Sequence, residues 1–335
     1  MGFGFQRPKE KPVFSPEGAI GWEFGPLDGL SCYLRCIESV LRAHQLDQRH
    51  VVNSLLQGLD LLRTYSSSSS FHGCTIEWHQ SENLEENWKT IEELLEAGEP
   101  VILSPDVFYW PGHKFENQKH SYDHMVLLTH VTDGFLSMLD TDAPADSGFV
   151  RKLEVNETLL KACSRFGRVR IDFAAPILDP REVLDQKVRP HLPLLREAIL
   201  EIRDFGDRWK LQGIPENTAR ALHVVCLGDI QPQLRLLSIA LQSSQDPLYA
   251  DLASKAARAS ERAMQLGLAL LSEHGYLKGE PYELSKIRLR NFIEAMELFC
   301  RSLSDFLKAD SVPLIQTTAG SHFENRLNRL VSYLY

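Results

Sequence analysis

The chain has 335 residues, 43% hydrophobic and 24% charged, with a formal net charge of −9. That is enough chain for two globular domains, and the acidic balance disfavours general nucleic-acid binding. No apolar run approaches the roughly 20 residues of a membrane span. The most apolar stretch, 222–228, is far shorter, and the N-terminus lacks the apolar core of a signal peptide. The six cysteines are scattered, and no cysteine or histidine couplets have zinc spacing. The expectation is a cytoplasmic protein with no metal or cofactor and no membrane segment.

In chain order, residues 1–20 read as an irregular lead-in. A helix is predicted over 31–44, with Tyr33, Ile37, Val40 and Leu41 on one face. A second covers 49–63, and a Ser-rich surface loop runs over 64–73. A third helix fits 86–97, closed by Gly98 and followed by Pro100. The run 101–103 is a strand, and a long loop over 105–121 carries Trp110, Pro111, Gly112 and His113. Two strands, 124–130 and 135–140, flank a turn at Thr132-Asp133-Gly134. Further strands are predicted at 149–154 and 168–173. Beyond about 185 only helical patterns follow: 191–211, 216–226, 232–243, 247–273, 282–308 and 321–334. The chain therefore divides into an α/β part, 1–180, and an all-helical part, 181–335, an α+β organisation.

Three residues carry the chemistry. Cys32 follows a loop with two glycines and stands where a helix begins. Backbone N–H groups and the positive end of the helix dipole there favour a thiolate and can hold an oxyanion. Taken alone, Cys32 also fits a small buried residue. Cys36, one turn later, reads as packing beneath it, and Cys74 is a reserve nucleophile. A nucleophilic cysteine needs a base, and the base needs an orienting partner. His124 opens an apolar strand, and Asp140, 16 residues downstream, ends the returning strand. His120 competes as base and Asp142 as partner, and His130 lies at the far end of the strand. Asp28, Trp110, His120 and Asp123 are candidate substrate-binding residues.

Side chains alternate across a sheet, so the hairpin decides whether His124 and Asp140 share a face. A two-residue loop at Asp133-Gly134 would set Asp140 opposite Leu127, on the wrong face. The expectation is a three-residue loop with a bulge at Gly134, which sets Asp140 against Val126 or Leu128.

The segment SCYLRCIESVLRAH, with Val40 and Leu41 eight and nine positions after Cys32, resembles the nucleophile helix of the bacteriocin-processing, papain-like peptidases. TIEELLEAGEPVIL resembles their helix, Gly-x-Pro and strand segment, and HMVLLTHVTDGFLSMLDT their histidine strand, turn and aspartate strand. The aromatic loop DVFYWPGHKFENQKHSYDH and the helical C-terminal part are similar to the butirosin-biosynthesis acyltransferase family. The chain departs from the peptidases in having Asp28, Gly29 and Leu30, and no Gln, in the few residues before Cys32, and Thr141 where they often have Pro.

The resemblance implies a papain-like cysteine domain with a Cys32-His124-Asp140 triad. It also implies an acyl group delivered on the phosphopantetheine arm of an acyl carrier protein and passed to a small amine-bearing acceptor in natural-product biosynthesis. Carrier proteins are acidic, so a docking face should be locally basic, and two stretches qualify: Arg151, Lys152, Lys161, Arg165, Arg168 and Arg170, or Lys286, Arg288, Arg290 and Arg301. Each also fits an ordinary solvated face. A cysteine peptidase or amidase, and a binding module without chemistry, remain open on the same residues.

Overall fold

The computed structural model describes residues 27, 30–44, 46, 48–57, 70–71, 73–113, 115–122, 124–140, 150–172, 179–189, 199–200, 202–204, 206–208, 216–242, 247–276 and 283–307. The chain divides into two compact units. The first contains Cys32–Val51 and Gly73–Ala175, and the second contains Val52–His72 and Pro176–Tyr335. The molecule mixes helix and strand and has a helical C-terminal region.

The elements in order are α1 (Cys32–Ala43), α2 (Gln48–Gln57), β1 (Ser70–Phe71), β2 (Cys74–Gln80), α3 (Leu84–Glu96) and β3 (Val101–Leu103). Then follow β4 (Val126–Thr132), β5 (Phe135–Leu139), β6 (Val150–Glu154), α4 (Glu157–Ala162) and β7 (Arg165–Ile171). Within the first unit the strands run β2-β7-β3-β4-β5-β6. Every one of these pairings is antiparallel. Central β4 is buried from Val126 to Thr129 at both alternating sets of positions, and it packs against α1 and α3. Its Val126 and Leu128 join Trp88, Ile91 and Leu95 of α3, Leu159 of α4 and Phe166 of β7 in one apolar core. Burying such side chains contributes about 1.5–3 kcal/mol each.

The helix α3 begins where Asn83 accepts from the Glu86 N–H at 3.3 Å while the Asn83 amide donates to the Glu86 carboxylate at 3.2 Å. The first bond satisfies one backbone donor that the first turn leaves open, and the second holds the Glu86 side chain against the cap. Strand β2 was not expected. Its Cys74 and Ile76 are buried while Thr75 and Glu77 are exposed, the alternation of a half-covered strand. Its polar majority, TEHQ against CIW, disguised that period. The short α4 was also not expected, and β7 begins three residues before the predicted 168–173.

The hairpin corrects the expected three-residue loop. Thr132 pairs with Phe135, so the loop is Asp133-Gly134 alone. Both residues have positive φ, 50° and 79°, as in the tight turn whose twist matches that of the strands. The extra residue sits inside β4. Leu128 pairs with Met138 and His130 with Ser137, leaving Thr129 as a bulge. The Thr129 hydroxyl donates to the Ser137 carbonyl at 3.0 Å across the interruption. Below the bulge Leu127 pairs with Leu139, so Asp140 falls opposite Val126, on the side His124 also takes.

In the second unit the described residues from Pro180 on are helical. Glu216–Val224, a π-helical segment Val225–Ile230 and Gln231–Gln242 run on as one rod. The long helices Pro247–Tyr276 and Glu283–Phe306 pack on each other. The sequence reading found no span-length apolar run. The continuous helix Thr218–Gln242, 25 residues, is nonetheless long and apolar enough to cross a membrane. Of its most apolar window, 67% is covered by the protein itself, as in a core helix. The predicted helix 321–334 lies outside the described residues, as does most of 191–211 and the end of 49–63.

Replacing Thr129 with Val keeps the shape and removes the donor to Ser137. The expected cost is about 1 kcal/mol, seen as a lower urea midpoint at unchanged slope. An unchanged midpoint would mean that the hydroxyl does not support the bulge.

Candidate active site

Cys32 is the first residue of α1. The helix forms because Tyr33, Leu34, Ile37, Val40 and Leu41 bury one stripe. Glu38 is buried on the same helix. Its carboxylate accepts from the Leu27 N–H at 3.3 Å and from Arg42 Nε at 2.9 Å, tying the approach to Cys32 onto the helix behind it. The first turn of a helix carries N–H groups without intrahelical acceptors, at the positive end of the dipole. Of the six cysteines only Cys32 is partly exposed. Burial pushes the Cys36, Cys74 and Cys163 thiols up, the last two to about 12. The negative charges of Cys32 and Asp140 add to the effect at Cys36.

His124 is 2% exposed and Asp140 1%. His124 Nε2 lies 2.8 Å from Asp140 Oδ1, and the imidazole is also hydrogen-bonded to the Cys32 side chain. Burial alone would lower the pKa of this histidine. The hydrogen bonds to Asp140 and Cys32 and the negative charges of both outweigh it and raise the value to about 10. The ring is therefore an imidazolium at neutral pH, flanked by sulfur and carboxylate.

The other carboxylate oxygen, Oδ2, accepts from Trp110 Nε1 at 2.9 Å and from Arg151 Nη1 at 3.0 Å. Trp110 is fully buried and so is a support of Asp140 rather than a surface for substrate. His120 does not join the site as a base. Its Nδ1 lies 2.7 Å from Asp106 Oδ2, and its ring stacks on Phe108 at 4.2 Å. His130 contacts the Thr132 hydroxyl. Asp28, Asp123 and Asp142 lie outside the described residues. Two neighbours escaped the sequence reading. His113 is buried, its ring 5.1 Å from that of His124, and its Nδ1 accepts from the Phe115 N–H at 3.2 Å. Arg151 had been assigned to a docking face. The WPGH string at 110–113 was the one available hint of the first.

The basic stretch 151–170 is largely committed to internal partners. Besides Arg151, Lys161 pairs with Glu157 at 2.8 Å, Arg170 with Glu77 at 2.7 Å and Arg168 with Glu99, while Arg165 lies over Trp78. In the second stretch Arg288 donates to the Gln265 amide oxygen at 2.9 Å.

The segment 41–140 matches the family described as butirosin biosynthesis protein H, N-terminal. The match supports the butirosin-biosynthesis family that the motifs resemble. The match takes in His124 and ends on Asp140, while Cys32 precedes it by nine residues, from 41 back to 32. The butirosin-type segment thus contains the hairpin, its bulge and the WPGH loop. No curated protein matches the chain.

The folded pKa of His124, about 10, exceeds the ordinary 6.5 of the unfolded chain. Its charged form therefore stabilises the fold fully below about pH 6.5, and that contribution is lost as pH rises through about 10. Urea unfolding of the wild type should weaken over this window. Asp140→Asn should weaken less, because its histidine titrates lower. An equal loss in both would remove Asp140 as the cause.

Proposed function

We propose that this chain is a cysteine-dependent acyltransferase of papain-like design, with Cys32 as nucleophile, His124 as base and Asp140 as the residue that orients the histidine. The observation that carries the reading is the unbroken line of hydrogen bonds from the partly exposed Cys32 through His124 to Asp140. The match of 41–140 to a family of butirosin biosynthesis supports a role in natural-product assembly. The reading places the protein in the cytoplasm, with an acyl carrier protein as donor and a small amine-bearing molecule as acceptor.

The Cys32 thiolate attacks the carbonyl carbon of a thioester, forming a C–S bond. The oxyanion that develops is held by N–H groups at the start of α1. As the tetrahedral adduct collapses, the C–S bond to the pantetheine arm breaks and the His124 imidazolium protonates the departing thiolate. The acyl-Cys32 thioester remains, with a neutral imidazole beside it. The acceptor amine then attacks this carbonyl and gives its proton to His124, and Cys32 leaves as thiolate. An amide has formed, and the ion pair is restored without any external oxidant or metal. Asp140 keeps the ring in the orientation and tautomer that both half-reactions use.

The test is incubation with a panel of acyl-pantetheine thioesters, read by intact mass. The wild type should gain one acyl group and Cys32→Ala none. Wild-type protein that stays unmodified by every thioester, yet is alkylated at Cys32 by iodoacetamide, would favour an amide hydrolase instead.

A further inference from the structure

Arg151 lies outside the matched segment and outside the residues the chemistry above uses. Strand β6 pairs Arg151 with Met138 of β5, two residues before Asp140, so Arg151 stands diagonally from Asp140 on the same face of the sheet. Its side chain is 11% exposed and that of Asp140 is 2%, which makes this a buried ion pair. The guanidinium is used at two points. Nη1 donates to Asp140 Oδ2 at 3.0 Å, and Nη2 donates to the Pro111 carbonyl at 3.2 Å.

The next residue, Gly112, has φ +78°, and a Cβ there would stand 3.2 Å from Arg151 Nη2. The loop therefore turns directly over the guanidinium, at a position where only glycine combines that backbone angle with that approach. At the near end of the turn Trp110 donates to the same Oδ2, and at the far end His113 lies against the His124 ring. Two donors thus occupy Oδ2 and leave Oδ1 to His124.

With Cys32 as the thiolate that the proposed chemistry uses, the charges form an alternating row of sulfur, His124 imidazolium, Asp140 carboxylate and Arg151 guanidinium. Their sum is zero. Among the described residues the other titratable groups here are Cys36 of α1, held as a thiol by burial and by the charges of Cys32 and Asp140, and His113 of the loop. Trp110 brings a donor but no charge. Without the guanidinium the same row, buried except at Cys32, would carry one net negative charge. Returning a proton to sulfur is the least costly way to remove it.

We infer that Arg151 is a positioning residue of the site: it supplies the fourth charge of the row and clamps the Trp110–His113 loop, so that the Cys32–His124 ion pair persists at neutral pH. The inference rests on the reading of Cys32 as nucleophile.

The experiment follows iodoacetamide alkylation of Cys32 in the full chain against pH by intact mass, with Cys32→Ala as background. In Arg151→Gln, which keeps an N–H donor and loses the charge, the pH at which alkylation sets in should rise by about one unit. The rate below both onsets should then fall roughly tenfold. Arg151→Lys, which keeps the charge, should hold the wild-type onset. A folded Arg151→Gln with an unmoved onset overturns the inference, since a purely structural arginine would lower stability without moving it. If Arg151→Gln does not fold, an Arg151→Lys onset displaced upward despite its retained charge overturns it equally. A wild-type Cys32 that resists alkylation throughout would sink the nucleophile reading and this inference together. A reactive wild type with unmoved variants sinks only the role of Arg151.

Discussion

The buried carboxylate of Asp140 is the group on which the rest of the site depends. It is 1% exposed and accepts from three side chains brought by three separate segments: His124 at the entry to β4, Trp110 in the preceding loop and Arg151 in β6. A carboxylate this deep is tolerated only when its oxygens are filled and its charge is met. Those demands explain why a tryptophan with no route to solvent and an arginine with almost none converge here. They also fix the histidine. Its Nε2 is committed to Oδ1.

The sheet reaches this arrangement by a shift of one residue. An unbroken β4–β5 ladder closed by the Asp133-Gly134 turn would put Asp140 opposite Leu127. The bulge at Thr129 moves the partner to Val126. Because side chains alternate with a period of two, that single residue carries Asp140 from one face of the sheet to the other. Bulges often lie beside functional groups for this reason. The Thr129 hydroxyl compensates locally for a ladder the bulge interrupts.

Charge read along the sequence and charge read in space differ in the same region. Arg151, Lys161, Arg168 and Arg170 form a basic stretch on paper. In the fold each has a carboxylate partner from Asp140, Glu157, Glu99 or Glu77. Three of those partners come from elements more than ten residues away in the chain. The helix Thr218–Gln242 shows the converse. Its apolar length reads as short in the sequence because polar residues interrupt it, and the fold joins the pieces into one rod buried by its neighbours.

Local sequence was sufficient for much of the first unit. The amphipathic stripe of α1, its start at Cys32, the Gly98 end of α3, and the Asp-Gly turn each depend on neighbours within a few residues. The candidate nucleophile, base and aspartate were legible because each stands at the end of an element whose period could be counted. Strand β2 was hidden by its polar majority, and the place of the bulge by the turn, which drew the odd residue to Gly134 when it stands at Thr129. What the sequence by itself determined is which residues open and close the elements. The tertiary structure alone decided that Trp110, His113 and Arg151 surround His124 and Asp140 while His120 turns to Asp106. Such pairings are settled by the desolvation of buried charge and by cross-strand register, and both act between residues that the chain order keeps apart.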